Sequence, residues 1–259
     1  MGRAIIFLYG VLSYLLFFVT FLYAVGFVAG AIVPKTINNG PAAAAATALI
    51  IDVLLLGLFA VQHSGMARRG FKRWLTAFLP PAAERSTFVL LSSGALIILF
   101  WLWRPLPGVI WQVDNMAGQM ALWALFALGW MIVFTGTFMI NHFDLFGLRQ
   151  VWLHARGRDY TDLPFRTTLF YRIVRHPLML GFLIAFWATP YMSTGHLLFS
   201  VATTGYIVLA LQLEERDLVA AHGETYLNYR RRVRMLLPLP KRRAKPVLGM
   251  PARSKGKVL

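Results

Sequence analysis

The chain has 259 residues, 58% of them hydrophobic, and a mean hydropathy of +0.61, which excludes an ordinary soluble domain and indicates an integral membrane protein. It has no cysteine, so disulfides, thiolate metal sites and covalent cysteine catalysis are excluded. Lys and Arg number 26 against 10 Asp and Glu, a net charge of +16; because these cations flank apolar runs and the aromatics lie inside them, the charge reads as membrane topology and no nucleic-acid partner is expected.

Residues 4–33 carry no charge and far exceed the roughly 7 to 15 apolar residues of a secretory signal core, so they read as a retained anchor helix. At about 1.5 Å per residue this run reaches roughly 45 Å, more than the roughly 30 Å hydrocarbon core, and is expected to tilt or protrude. The turn formers of PKTINNGP follow, then an apolar run over 42–61 that ends at QHSGMARRGFKRW, where Arg68, Arg69, Lys72 and Arg73 arrive together. A third run over 86–103 is closed by RPLPG, and a fourth covers 116–140. Long polar sequence over 141–176 then leads to two shorter apolar runs flanking TPYMSTGH between residues 177 and 213, the pattern of a tight transmembrane hairpin.

Lys35 and Arg104 are the sole cations of the loops at 34–41 and 104–115, whereas those at 62–85 and 141–176 are rich in Arg and Lys. Short cytoplasmic loops retain positive charge, so the basic loops and both termini are expected in the cytoplasm. The expected fold is all-α: a polytopic membrane helical bundle of four long helices plus a C-terminal hairpin, five to six spans in all, with a cytoplasmic cofactor pocket. Residues 1–237 form the membrane domain and 238–259 a basic tail near anionic lipid.

This topology gathers distant polar residues at one depth. Gln62 and His63 close the second span, Asn141, His142 and Asp144 close the fourth, Arg175, His176 and Pro177 open the fifth, and Glu214 and Glu215 close the sixth. Each cluster alone reads as a helix cap or interfacial anchor; together they read as the lining of a cavity. A proline suits the first helical turn, whose free N–H groups can face an anion, and Arg175 adds a bidentate grip on a carboxylate. Glu214 and Glu215 offer acceptors to an ammonium or to ribose hydroxyls. A ligand with carboxylate, ammonium and ribose fits both ends. Asp52, deep in the second span, reads as paired with a hydroxyl or amide of the bundle.

The blocks RHPLMLG and EERDLVAAHGETYLNYRRRV resemble the C-terminal half of the isoprenylcysteine carboxyl methyltransferase and phospholipid methyltransferase superfamily. LFAVQHSGMARRGFKRW, NHFDLFGLRQVWL, LPFRTTLFYRIVRHP and FWATPYMSTGHLLF extend the likeness, over 58–238, to the bacterial methanethiol S-methyltransferase family and its NnrU-like relatives. One departure is Met179, where the superfamily pattern RHPxY has a tyrosine; stacking by that side chain is lost.

The resemblance implies S-adenosylmethionine as cofactor, held by Arg175, His176, Pro177, Glu214 and Glu215 and covered by Tyr171 and Arg172. It implies methylation of methanethiol, a small volatile thiol, to dimethyl sulfide in a bacterial inner membrane. A thiolate is the nucleophile, so a base is expected, and His63 or His142 fills that role, with Asp144 orienting one of them. Gln62 and Asn141, beside the histidines, are the candidate substrate-binding pair. The sulfonium charge stabilising the thiolate without a base is the alternative. Selectivity for so small a thiol is expected to come from steric exclusion of larger ones. No metal ligand set is expected. Competing readings are a methyltransferase for a lipid or prenylated acceptor, a haem or redox-partner protein with His63 and His142 as axial ligands, and a transporter.

Overall fold

The computed structural model describes residues 2–161, 163 and 167–238. The fold is an all-α bundle in which, among the described residues, five helices are long and apolar enough to cross a membrane. These are α1 (Arg3–Ala29), α2 (Ala45–Met66), α4 (Pro81–Leu102), α5 (Met116–Ile140) and α9 (Thr194–His222). Short helices α3 (Arg69–Leu75), α6 (His142–Leu145), α7 (Leu148–Ala155) and α10 (Glu224–Arg232) lie between or after them, and α8 (Pro177–Trp187) is an apolar half-helix. The expected tail falls largely on residues 239–259, outside the described ones.

Helix ends depart from the hydropathy edges where good helix formers continue the run. α2 continues through Gln62 and His63 to Met66, α4 begins at Pro81 and so includes Glu84 and Arg85, and α9 runs past Glu214 and Glu215 to His222. Glu, Gln and Arg have high helix propensity, so a change from apolar to charged sequence need not stop a helix. Pro81 and Pro177 each sit in the first helical turn, where the missing N–H is not needed. α1 ends where Gly30 adopts φ 71° and caps the carbonyls of Gly26 and Phe27.

The C-terminal hairpin is asymmetric. The 11 residues of α8 rise only about 16 Å, half of the hydrocarbon core. Extended chain follows α8: β2 (Tyr191–Ser193) pairs antiparallel with β1 (Val109–Gln112), which belongs to the loop after α4. α8 packs along α5 with backbones in close approach. A Cβ on Gly181 would lie 2.7 Å from the Gly129 carbonyl oxygen, and one on Gly129 would lie 2.8 Å from that of Gly181. Small residues at such crossings let backbones touch where lipid offers no hydrophobic drive to associate.

Phe27, Phe100, Trp103, Trp130, Phe186 and Phe199 build the main core, while Leu8, Leu12, Leu15, Val19 and Leu22 of α1 are exposed on what would be a lipid-facing side. The polar 141–176 segment is more structured than a loop: α7 buries Val151 against Ile6 and Ala83. Asp52 accepts the backbone N–H of Arg104 at 2.8 Å, the amide pairing expected for a buried carboxylate.

Candidate active site

Of the residues singled out from sequence as site candidates, His63, His142 and Glu214 line one cavity, together with residues the sequence did not single out. His63 from α2, Arg85 from α4, His142 from α6, Leu178 and Met179 from α8 and Glu214 from α9 line one cavity of about 610 Å³. Its remaining wall is mostly aromatic and aliphatic, including Phe17, Phe21, Trp130 and Phe182.

Arg175 and Glu215 form the buried support of this end. The Arg175 Nε and Nη2 lie 2.6 and 2.5 Å from Glu215 Oε1, and Nη1 donates to the carbonyls of Arg230 and Val233 at 3.2 and 2.7 Å. His176 Nε2 is 3.2 Å from the same carboxylate oxygen, and Arg230 Nε is 3.4 Å from Oε2. The chain after α10 runs beside 174–176: Arg175 N–H donates to the Arg234 carbonyl and His176 N–H to that of Met235, at 2.8 and 3.2 Å. The expected grip of Arg175 on a carboxylate is thus present, but the carboxylate is Glu215 of the same chain, and the guanidinium is spent inside the protein.

Glu214 differs from its neighbour. Its side chain is 49% exposed against 7% for Glu215, and its Oε2 lies 3.7 Å from His176 Nδ1. Successive helical residues point about 100° apart, so one glutamate faces the support while the other reaches the cavity. Pro177 opens α8, and the first-turn amides of Leu178 and Met179, which lack acceptors within a helix, belong to residues on the cavity wall. Tyr171 receives, at its carbonyl, the Tyr229 hydroxyl at 2.5 Å. Burial pushes the Tyr229 phenol up to about 12, with Glu215 adding to the rise against the opposing pull of Arg175, so it remains a donor. Arg172 is exposed, its Nε 3.4 Å from the Thr167 carbonyl.

The two histidines occupy unlike settings. His142 is 4% exposed and stacks on Phe138 with ring centroids 4.3 Å apart. Thr137 Oγ1 donates to the Phe134 carbonyl, so at 2.8 Å it accepts from His142 Nδ1–H; Nε2 then accepts the Tyr14 hydroxyl at 2.7 Å. Burial lowers the His142 pKa and favours this neutral form. His63 Nδ1 lies 3.2 Å from Ser92 Oγ, which also receives the Gln62 amide at 3.3 Å. Its ring stacks on Phe59 and lines the cavity, leaving Nε2 as the ring nitrogen open to a ligand.

Asp144 does not orient either histidine. Its carboxylate meets Arg149 Nη1 at 2.9 Å and the Tyr160 hydroxyl at 3.2 Å, beside a separate polar cleft that Lys72, Glu84 and Arg158 also line. Asn141 accepts the Asp144 N–H at 3.1 Å and so caps α6. Tyr14, Thr137, Ser92 and Arg85 are members of the site that sequence reasoning missed. Tyr14 carried a signal, a hydroxyl within a long charge-free run; the others looked like ordinary helix residues.

The profile described as NnrU protein matches residues 51–220. The chain belongs to the NnrU family. A protein of Mycobacterium tuberculosis named methanethiol S-methyltransferase is 59% identical over 93% of this chain and 99% of its own length. One of the same name from Crocosphaera subtropica is 53% identical over 92% of this chain and 93% of its own length. Nurim of Sus scrofa is more distant, at 30% identity over 64% of this chain and 66% of its own length. No solved structure matches. The NnrU match takes in every sequence-selected site residue from Gln62 to Glu215 but neither Tyr14 nor the 230–235 segment that clamps Arg175.

Proposed function

We propose that this NnrU-family membrane protein methylates methanethiol with S-adenosylmethionine, forming dimethyl sulfide and S-adenosylhomocysteine at the cytoplasmic end of the bundle, in a bacterial inner membrane with both termini cytoplasmic. The observation that carries the reaction is the 59% identity, over nearly the whole of both chains, to a protein of that name. The basic loops at 62–85 and 141–176 support the orientation.

The donor set at the cavity mouth fits S-adenosylmethionine. Glu214 presents an exposed carboxylate for an ammonium or ribose hydroxyls, the α8 amides of Leu178 and Met179 suit a carboxylate, and aromatic faces suit a sulfonium. When bound, the cofactor supplies an electrophilic methyl group on a positive sulfur. Arg175, Glu215 and His176 then act as the rigid floor that fixes the start of α8 against α9, and Tyr171 and Arg172, just before α8, would help cover the cofactor.

The protein must exclude water, hold the acceptor sulfur and receive its proton. The apolar wall performs the first task. His63 is best placed for the last: in the tautomer whose Nδ1–H donates to Ser92 Oγ, Nε2 is left to accept the thiol hydrogen, and Gln62 donates to the same Ser92 oxygen. His142 has both nitrogens engaged, so it orders this end of the cavity, and the haem reading loses an axial ligand. Headspace gas analysis tests the assignment: membranes carrying the protein, supplied with methanethiol and S-adenosylmethionine, release dimethyl sulfide in proportion to protein. Dimethyl sulfide no higher than in membranes lacking the protein would overturn it.

A further inference from the structure

The cavity must take the cofactor's reactive end as well as the one-carbon acceptor, yet its lining extends well beyond the polar end where the two would meet. Along α4 its lining runs from Arg85 to Phe100, and along α9 from Phe199 to Glu214; each pair is roughly 15 positions apart, about 22 Å of helix. Polarity is graded along that length. His63, Arg85, His142 and Glu214 gather at one end, whereas Val28, Leu99, Phe100, Phe186 and Phe199 mark the other. The hydroxyls on the wall do not break the gradient, because Thr20, Ser93, Thr137 and Thr203 donate to carbonyls of their own helices at 2.6 to 2.8 Å.

We infer that the deep apolar part of this cavity is an alkyl-chain site, and that the protein methylates alkanethiols of greater length, with sulfur at the His63 end and the chain running toward Phe199. The inference rests on the thiol methyltransferase reading. It follows from the gradient: a thiol carries its only reactive group at one terminus and needs nothing but apolar contact along the rest. In the reaction the S–H proton passes to His63, the thiol sulfur forms a bond to the methyl carbon, and the sulfonium carbon–sulfur bond breaks with its electron pair remaining on S-adenosylhomocysteine. The product is an alkyl methyl sulfide. Each methylene buried contributes about threefold to fourfold in kcat/KM, referred to aqueous thiol, until the cavity is filled.

The test uses the full chain in membranes with S-adenosylmethionine and methanethiol, butanethiol or octanethiol, reading S-adenosylhomocysteine and the methyl sulfide. Ala24 lines the middle of the cavity, and Ala24→Phe narrows it; Leu96→Phe, on the facing α4 wall, is a second obstruction should the first fold poorly. The expected result is turnover of all three thiols, with either variant losing tenfold or more in kcat/KM for octanethiol and staying within twofold for methanethiol. Comparing variant with parent cancels partitioning of the longer thiol into lipid. Turnover of methanethiol alone, as when a lipid chain permanently fills the space, overturns the alkyl site and leaves the proposed function standing. Octanethiol turnover insensitive to both variants also overturns it. Failure of every thiol would remove the methyltransferase reading together with the inference.

Discussion

The guanidinium of Arg175 places two nitrogens 2.6 and 2.5 Å from a single oxygen of Glu215, with side chains only 6% and 7% exposed. Removing one partner of such a pair leaves a buried charge uncompensated, at a cost of about 3 to 5 kcal/mol. Arg175→Ala is therefore expected to lower the thermal unfolding midpoint in detergent sharply and to expose residues 230–235 to limited proteolysis. Arg172→Ala, on an exposed side chain three residues before Arg175 and outside that network, should change stability by less than about 0.5 kcal/mol. Equal loss from both substitutions would contradict the buried support.

Glu214 and His63 should separate in steady-state kinetics. Glu214→Gln removes a charged acceptor at the cavity mouth and is expected to raise KM for S-adenosylmethionine by about tenfold, the scale of one charge-assisted hydrogen bond. His63→Ala removes the proton acceptor and should lower kcat by roughly 10²- to 10⁴-fold at saturating thiol. Full turnover by His63→Ala would leave thiolate formation to the sulfonium charge instead.

His142 gives the fold a pH dependence of defined sign. Its folded pKa lies below the ordinary value of about 6.5 because burial disfavours the charged ring. The stabilisation is complete above about 6.5 and is lost as pH falls from there through the lowered folded pKa, since the unfolded chain then binds the extra proton. Thermal midpoints measured across this window should decline on the acid side, and His142→Gln should flatten the decline. An unchanged slope in that variant would assign the acid sensitivity elsewhere.

The Gly129–Gly181 crossing is sterically full. Gly181→Val would place carbon 2.7 Å from a backbone oxygen and 2.9 Å from the Val133 nitrogen, so overpacking of at least about 1 to 3 kcal/mol is expected. Gly94→Ala, where an added Cβ meets no atom within 4 Å, should leave the midpoint unchanged or slightly raised. Reduced membrane yield and midpoint for Gly181→Val alone is the checkable pattern.

Sequence by itself determined the all-α membrane bundle and its first four long spans, the loops in which cations collect and the gathering of His63, His142, His176 and Glu214 at one end; it did not determine that α9 is a fifth long helix. These are one-dimensional properties: apolar length is measured against a bilayer, and loop charge against a membrane face. Only tertiary structure decided that Arg175 is consumed by Glu215 and the 230–235 segment, that Glu214 is the glutamate with an exposed side chain, and that His142 answers to Tyr14 and Thr137 rather than Asp144. It also decided the size of the cavity. The reason is that these helices are apolar on all sides, since lipid and protein core demand similar side chains. Hydropathy therefore reports depth along a helix but not rotation about it, and rotation is what aims each polar group and leaves space between the walls.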